Sequence, residues 1–208
     1  MAISMTKGYS EQTAGAKLCI DLASDWSLEC INSFKSQNNI VLMDYGAADG
    51  GTAIDFWRQI IKKISDNSPN TEISLIGNDL YSNDNQSLIN NLSIHSLGNQ
   101  NVSTLMCAGS FYDQLVPSRF IDFGFSATAM HWLNKKVETL TDHTHVLASN
   151  NQLAKNDFLE QALLDWNQIL EKRSKELKVG GKLLTVNLSR DSENRYLGNN
   201  GGKTVNVH

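Results

Sequence analysis

No apolar run in this 208-residue chain approaches the roughly 20 residues that a helix needs to cross a bilayer. The start, Met1-Ala2-Ile3-Ser4-Met5-Thr6-Lys7, lacks a charged opening followed by a hydrophobic segment, so no signal peptide is read there. Basic stripes are missing too. Lys and Arg total 18 against 22 Asp and Glu, a formal net charge of -4, and this mild acidity argues against a nucleic-acid partner. The few cysteines, Cys19, Cys30 and Cys107, are odd in number and far apart, as expected of reduced packing residues in a cytoplasmic protein. There is no repeat, no low-complexity tract and no linker. The spaced-glycine dinucleotide fingerprint and the Lys-Ser/Thr of a phosphate loop are also lacking. Their loss counts against a nicotinamide-dependent oxidoreductase.

What is present most clearly is Ile40-Val41-Leu42-Met43-Asp44-Tyr45-Gly46-Ala47-Ala48-Asp49-Gly50-Gly51-Thr52. A continuous apolar run of this length reads as a buried strand. Gly46, Gly50 and Gly51 then let the backbone turn sharply and let a ligand approach closely. This is the layout of a nucleotide cradle at the first strand of a doubly wound sheet. Asp44 and Asp49 would repel a pyrophosphate at a helix N-terminus. They suit a cationic, hydroxyl-rich ligand better, and S-adenosylmethionine has a sulfonium, an ammonium and a ribose.

Five strands are expected, over Ile40 to Asp44, Ile73 to Asn78, Ser103 to Cys107, Phe120 to Phe125 and Lys182 to Leu188. Helical spacing is read over Ala14 to Lys35, Ala53 to Ile64, Gln86 to Ile94 and Asn156 to Leu177. In the first of these, Leu18, Leu22, Trp26, Cys30 and Phe34 form the apolar face. In the last, Phe158, Ala162, Leu163, Trp166, Ile169, Leu170 and Leu177 fall on one side, and Val179-Gly180-Gly181 is the expected stop. Strand alternating with helix implies an α/β fold, a doubly wound and mostly parallel sheet with right-handed crossovers. With 40% apolar residues the chain is read as one globular domain over 1-208. Residues 135-155, polar and carrying Asp142, His143 and His145, form a lid or insert, and 189-208 an irregular tail. A strand order of 3-2-1-4-5 would leave the fifth strand as a bare edge, which calls for a cover: further chain or a partner.

The chemistry is expected at strand ends. Asp79, in Gly77-Asn78-Asp79-Leu80, stands where a carboxylate can accept both ribose hydroxyls; a helix cap is the plainer reading. Ser110 and Phe111, in Ala108-Gly109-Ser110-Phe111-Tyr112, could shape an adenine slot, and Phe111 serves equally well as core. His131 and Trp132 leave the fourth strand at the crevice where open α/β sheets bind ligands. An indole N–H only donates, which suits a carboxylate, whereas the alternative is a core anchor with a satisfied neighbour. His143 and His145 with Asp142 invite a metal, yet no third ligand is spaced to join them, so no metal is assigned.

In this order these pieces resemble the SABATH family, the plant-type carboxyl methyltransferases acting on salicylate, benzoate and jasmonate, with relatives that methylate xanthines. The matching segments are the Asp44 loop, Asn78-Asp79-Leu80, Gly109-Ser110-Phe111-Tyr112, Met130-His131-Trp132-Leu133 and Arg173-Ser174-x-Glu176-Leu177-x-x-Gly180-Gly181, within a span from about Tyr9 to Leu188. The resemblance implies a Rossmann-like, class I methyltransferase domain and S-adenosylmethionine as cofactor. It implies transfer to the carboxylate (or a nitrogen) of a small molecule, without nucleic acid or membrane. Carried over by position, Tyr9, Thr13, Asp44, Gly46, Asp79, Leu80, Ser110, Phe111 and Ser126 are the implied cofactor contacts. Trp132, assisted by His131, is the implied catalytic pair that orients the acceptor.

Two positions depart from the family. Ala16 stands where it has a Gln that shares the carboxylate with the Trp, and Thr128 stands where a substrate-side Tyr is common. The family is also longer, with further strands and a helical cap, so the chain resembles its N-terminal part and is expected to be truncated at the C-terminus. A homodimer is the expectation from the resemblance and the uncovered edge. Because a carboxylate nucleophile is already ionised at neutral pH, the implied chemistry needs no general base, which accounts for the lack of a triad or acid pair. The alternative is a non-catalytic S-adenosylmethionine-binding fragment or pseudoenzyme.

Overall fold

The computed structural model describes residues 5, 8–34, 37–93, 97–98, 101–137, 140–142, 146, 149–189 and 192, with the backbone of 199–200 and 203–204. Its centre is a five-stranded parallel sheet in the order β3-β2-β1-β4-β5. The strands are β1 (Asn39–Tyr45), β2 (Glu72–Asp79), β3 (Val102–Ala108), β4 (Ile121–Ala127) and β5 (Leu177–Val186). Two helices lead into β1, α2 (Ala14–Leu22) and α3 (Ser24–Asn32), preceded by the single turn α1 (Tyr9–Gln12). Between strands lie α4 (Ile54–Asn67), α5 (Asn85–Asn91) and α6 (Gln152–Glu176). A pair of two-residue strands, β6 (Asn199–Asn200) and β7 (Lys203–Thr204), lies within the segment expected to be irregular.

Alternation along β1 divides the apolar interior into two layers, as a pleated strand with both faces covered must. Ile40 and Leu42 join Phe56, Trp57, Ile60 and Ile64 of α4 on one face. Val41, Met43 and Tyr45 meet Ile169 of α6 on the other. Phe56 stacks on Phe125 of β4 at 4.2 Å between ring centroids, so α4 lies directly against the centre of the sheet. The α/β class and the 3-2-1-4-5 order expected from the sequence are therefore borne out, with β5 at the edge.

Three helical expectations are corrected. The first helix is two helices meeting at Ala23, and its inner face is Ile20, Ala23, Ser24, Ser27 and Ile31. Leu18, Leu22 and Trp26 are exposed, at 59%, 70% and 64%, because small residues in steps of three and four give the closer approach. The last helix begins at Gln152, inside the stretch read as a lid, where the Asn151 side chain accepts from the Ala154 amide. Its buried residues are Ala154, Asp165, Ile169, Arg173 and Glu176, while Leu163 and Leu170 are exposed.

The glycine stop is the third correction. The chain passes from Glu176 of α6 into β5 at Leu177, and Val179-Gly180-Gly181 lies inside the strand. Leu177 faces Ile121 and Lys182 faces Phe123, so residues 178–181 bulge outward between two registered pairs. Gly180 takes φ 84° there, and a Cβ on Gly181 would stand 2.9 Å from the Ile121 carbonyl oxygen.

Candidate functional site

The carboxyl ends of β1, β2, β3 and β4 carry the residues singled out by the sequence. The turn after β1 is built on Asn78 of β2, whose carbonyl accepts from both the Gly46 and Ala47 amides at 2.9 Å. Gly46 has φ 74°, and a Cβ there would lie 2.4 Å from the Ala129 Cβ and 3.7 Å from Phe111 Cε1. Only glycine fits this point, where the segments after β1, β3 and β4 converge.

Asp79 closes the next tip. Its Oδ2 accepts from the Ala48 amide and its Oδ1 from the Leu80 amide, both at 2.7 Å. Each oxygen keeps a further lone pair, and the residue is only half-buried. Burial raises its pKa, against which the two amides act. Leu80 enters the site through that amide and its half-buried side chain.

Asp44 is buried, and its Oδ2 accepts from Trp57 Nε1 at 2.7 Å. Burial lifts its pKa to about 7, opposed by the indole bond and reinforced by the charge of Asp79. Asp49 is likewise buried. It accepts from the Ser10 amide at 3.0 Å, the Ser10 hydroxyl at 2.9 Å and the Gly51 amide at 3.1 Å. Asp44 is thus fastened to α4, and Asp49 pins α1 over the glycine loop.

Ser110 and Phe111 follow β3 as expected, with the Ser110 hydroxyl accepting from the Tyr112 amide at 3.3 Å. Phe111 is half-buried against the β1 turn. Thr13 donates its hydroxyl to the Tyr9 carbonyl at 2.7 Å, and Tyr9 is half-buried in α1. Ser126 lies inside β4, 1% exposed, and its hydroxyl donates to the Tyr45 carbonyl at 2.9 Å, clamping β4 to β1.

His131 and Trp132 stand together, their rings 5.5 Å apart. Trp132 is 58% exposed, so it is not a core anchor. Burial lowers the His131 pKa, and its buried Nδ1 has no hydrogen-bond partner among the described residues. Tyr112 donates its hydroxyl to the Trp132 carbonyl and so ties the segment after β3 to the one after β4. His143 and His145 lie outside the described residues, and no cluster of metal-binding side chains occurs among those described.

Several contributors were not singled out by the sequence. Asn78 donates to the carbonyls of Cys107 and Gly109 at 2.8 and 3.0 Å, and its own buried Oδ1 is without a partner among the described residues. Asn83 donates to the Ala48 carbonyl at 2.6 Å and Asn91 to that of Asp49 at 2.7 Å. Asn78 was legible as a member of the Asn78-Asp79-Leu80 motif; nothing local marks Trp57, Asn83 or Asn91.

A family model described as SAM dependent carboxyl methyltransferase matches residues 8–205. The chain belongs to that family. The SABATH resemblance is thereby borne out. Among the relatives of this carboxyl methyltransferase family member, Methyltransferase LUC1 of Fusarium sp is 31% identical over 164 residues, covering 75% of this chain and 41% of that protein. Indole-3-acetate O-methyltransferase 1 of Arabidopsis thaliana is 27% identical over 186 residues, covering 78% of this chain and 48% of its own length. A solved structure of loganic acid methyltransferase with SAH matches with a TM-score of 0.77 at 21% identity, over 96% of this chain and 62% of that one. That match shows the fold. The chain spans about half the length of the curated relatives it matches. Among the described residues no helix is long and apolar enough to cross a membrane.

Proposed function

We propose that this family member binds S-adenosylmethionine across the tips of β1, β2 and β3 and directs its methyl group to a small-molecule carboxylate. The observation that carries the reading is Asp79: a half-buried carboxylate, fixed by two amides, with an accepting lone pair left on each oxygen. The site residues fit the cofactor. Asp79 would take the ribose hydroxyls, the glycine turn leaves no Cβ at Gly46, and Phe111 beside it offers a ring for the adenine. Asn78 Oδ1, buried without a partner among the described residues, is an acceptor at the same tips.

When bound, this cofactor would supply an electrophilic methyl on sulfur: an already ionised carboxylate oxygen would displace the thioether, the S–CH3 bond breaking as O–CH3 forms and its electron pair leaving on the sulfur of S-adenosylhomocysteine, with no base needed. The protein's part is placement and exclusion of water. The exposed Trp132 indole N–H donates to the acceptor carboxylate, and neutral His131 beside it assists. A homodimer and a cytoplasmic setting complete the proposal, the latter supported by the three free cysteines.

Titration of the protein with S-adenosylmethionine and S-adenosylhomocysteine tests the cofactor site, and a labelled-methyl assay over a panel of carboxylic acids tests transfer. Trp132→Ala should keep cofactor binding and lose transfer; undiminished turnover in that variant removes Trp132 from the role.

A second reading, a cofactor-binding module without catalysis, is favoured by Ala16 and Thr128. Ala16 has no side-chain donor, and Thr128 has a short hydroxyl in place of a phenol. Cofactor binding with no methyl transfer to any acid in the panel would select it.

A further inference from the structure

We infer that the buried Arg173–Glu176 pair is a positioning unit: it sets the height and tilt of the Phe111 wall against which the adenine of the proposed cofactor rests. Both side chains are fully enclosed, at 1% and 0% exposure, near the end of α6. Arg173 Nε and Nη2 donate to the two Glu176 oxygens at 2.7 and 2.8 Å, a bidentate pair. What the pair does with its remaining capacity is the evidence. Arg173 donates to the carbonyls of Phe111 and of Asp113, the latter at 2.8 Å. Glu176 Oε1 accepts from the Leu115 amide at 2.5 Å, and its Oε2 accepts from the Tyr45 hydroxyl at 2.7 Å. The guanidinium also lies over the Tyr45 ring, 4.5 Å from its centroid.

Residues 111–116 belong to no helix or strand, so their backbone groups lack regular partners. The ion pair supplies those partners on one side, and Tyr45, at the tip of β1, locks it on the other. Phe111 faces Gly46 in the turn that follows Tyr45. The height of the adenine wall above the glycine turn is thus measured through one salt bridge. Hydrophobic burial could have held α6 to the sheet, since a buried ion pair adds little net stability over apolar residues of like size. A planar five-donor fork fixes the direction of two carbonyls at once, which neither Lys nor an apolar side chain can do.

This inference rests on the cofactor site proposed above, and the test separates the two. The full chain and two variants, Arg173→Lys and the double Arg173→Met with Glu176→Leu, are compared by thermal melting. Each is then titrated with S-adenosylhomocysteine and with 5′-methylthioadenosine, which keeps the adenosine half alone. The double variant should melt below the parent, because it leaves the Phe111 and Asp113 carbonyls, the Leu115 amide and the Tyr45 hydroxyl without partners. Where it stays folded, it should bind both ligands at least roughly tenfold more weakly, a loss confined to the adenosine half. Arg173→Lys, with charge kept and fork lost, should also bind both more weakly. If either folded variant binds both ligands within about twofold of the parent, the pair is only structural and the inference fails. Should the double variant not fold, Arg173→Lys decides alone. If the parent itself binds neither ligand, the cofactor reading falls first.

Discussion

The indole nitrogen of Trp57 donates to the Asp44 carboxylate at 2.7 Å, under the glycine turn and out of contact with solvent. A carboxyl held this way, with Asp79 as its acidic neighbour, is pushed up to about 7 from its usual value of 3.8. The raised value means that folding favours the protonated form. The contribution is therefore fully present below the unfolded value and is lost as pH rises through about 7. A cationic ligand at the same tips favours the ionised form and should expel a proton on binding. Affinity for S-adenosylmethionine should then rise with pH up to about 7 and level off above it, by about tenfold in all for each unit by which binding lowers that pKa. Calorimetry in two buffers of different ionisation enthalpy reads the proton directly. Asp44→Asn, which keeps an oxygen for Trp57, should abolish both the proton release and the slope.

Asp79 makes a different prediction, because both its oxygens already hold the backbone. Asp79→Ala removes the ribose acceptors and leaves the Ala48 and Leu80 amides without partners. A hydrogen bond to a charged group contributes about 1.5–3 kcal/mol, so S-adenosylhomocysteine affinity should fall by roughly one to two orders of magnitude. Asp79→Asn retains one accepting oxygen and should lie between. Parent-like binding by Asp79→Ala would take Asp79 out of the cofactor site.

At Gly46, backbone and packing effects can be separated. Gly46→Ala puts a Cβ 2.4 Å from that of Ala129 and imposes φ 74° on a residue with a side chain. The left-handed backbone alone costs about 1–2 kcal/mol. Removing the opposing methyl, in Gly46→Ala with Ala129→Gly, should recover the clash and leave that backbone cost. Denaturant unfolding of the two variants measures it; a double variant no more stable than Gly46→Ala would mean that no clash was relieved.

The sheet was legible because it is written locally. Ile40 to Met43 is apolar throughout, and the glycine-rich turn that follows cannot be mistaken for a helix. The inner face of α6 was legible in part: Trp166, Ile169 and, just past its end, Leu177 lie in the apolar layer as expected, whereas Asp165, Arg173 and Glu176 carry no hydrophobic signal. These three are buried because loops of irregular backbone, distant in sequence, present carbonyls and amides that only charged side chains can satisfy at that depth. The face of α2 and α3 was misread in part for the opposite reason: Cys30 and Phe34 pack against the core as expected, but Ala23, Ser24 and Ser27, which permit the closest packing, carry no hydrophobic signal. Of the residues in the proposed site, Asp79, Gly46 and Phe111 were legible through their motifs. Trp57, the partner of Asp44, lies a strand tip and a helical turn away and leaves no trace in spacing. Ser126 was placed at the right strand end, but its hydroxyl clamps two strands together.

Tyr112 links the two halves of the proposed chemistry. Its hydroxyl donates to the Trp132 carbonyl and lies 3.4 Å from Asp165 Oδ2, which also accepts from the Asn134 amide at 2.8 Å. Burial and the nearby Asp165 charge raise the phenol pKa, so it remains a donor through the neutral range. Tyr112→Phe keeps the ring and removes the hydroxyl with its bond to the Trp132 carbonyl and its weaker contact with Asp165, a loss of about 0.5–1.5 kcal/mol for the principal bond. Asn134 should then exchange its amide hydrogen up to roughly tenfold faster, because the segment carrying Trp132 is held at one point fewer. Affinity for S-adenosylhomocysteine should stay within about twofold, since Ser110 and Phe111 remain braced from α6. Methyl transfer in any acid that the parent accepts should fall through kcat rather than through cofactor binding. Unchanged Asn134 exchange would show that Asp165 alone holds the segment and that the phenol transmits nothing to Trp132.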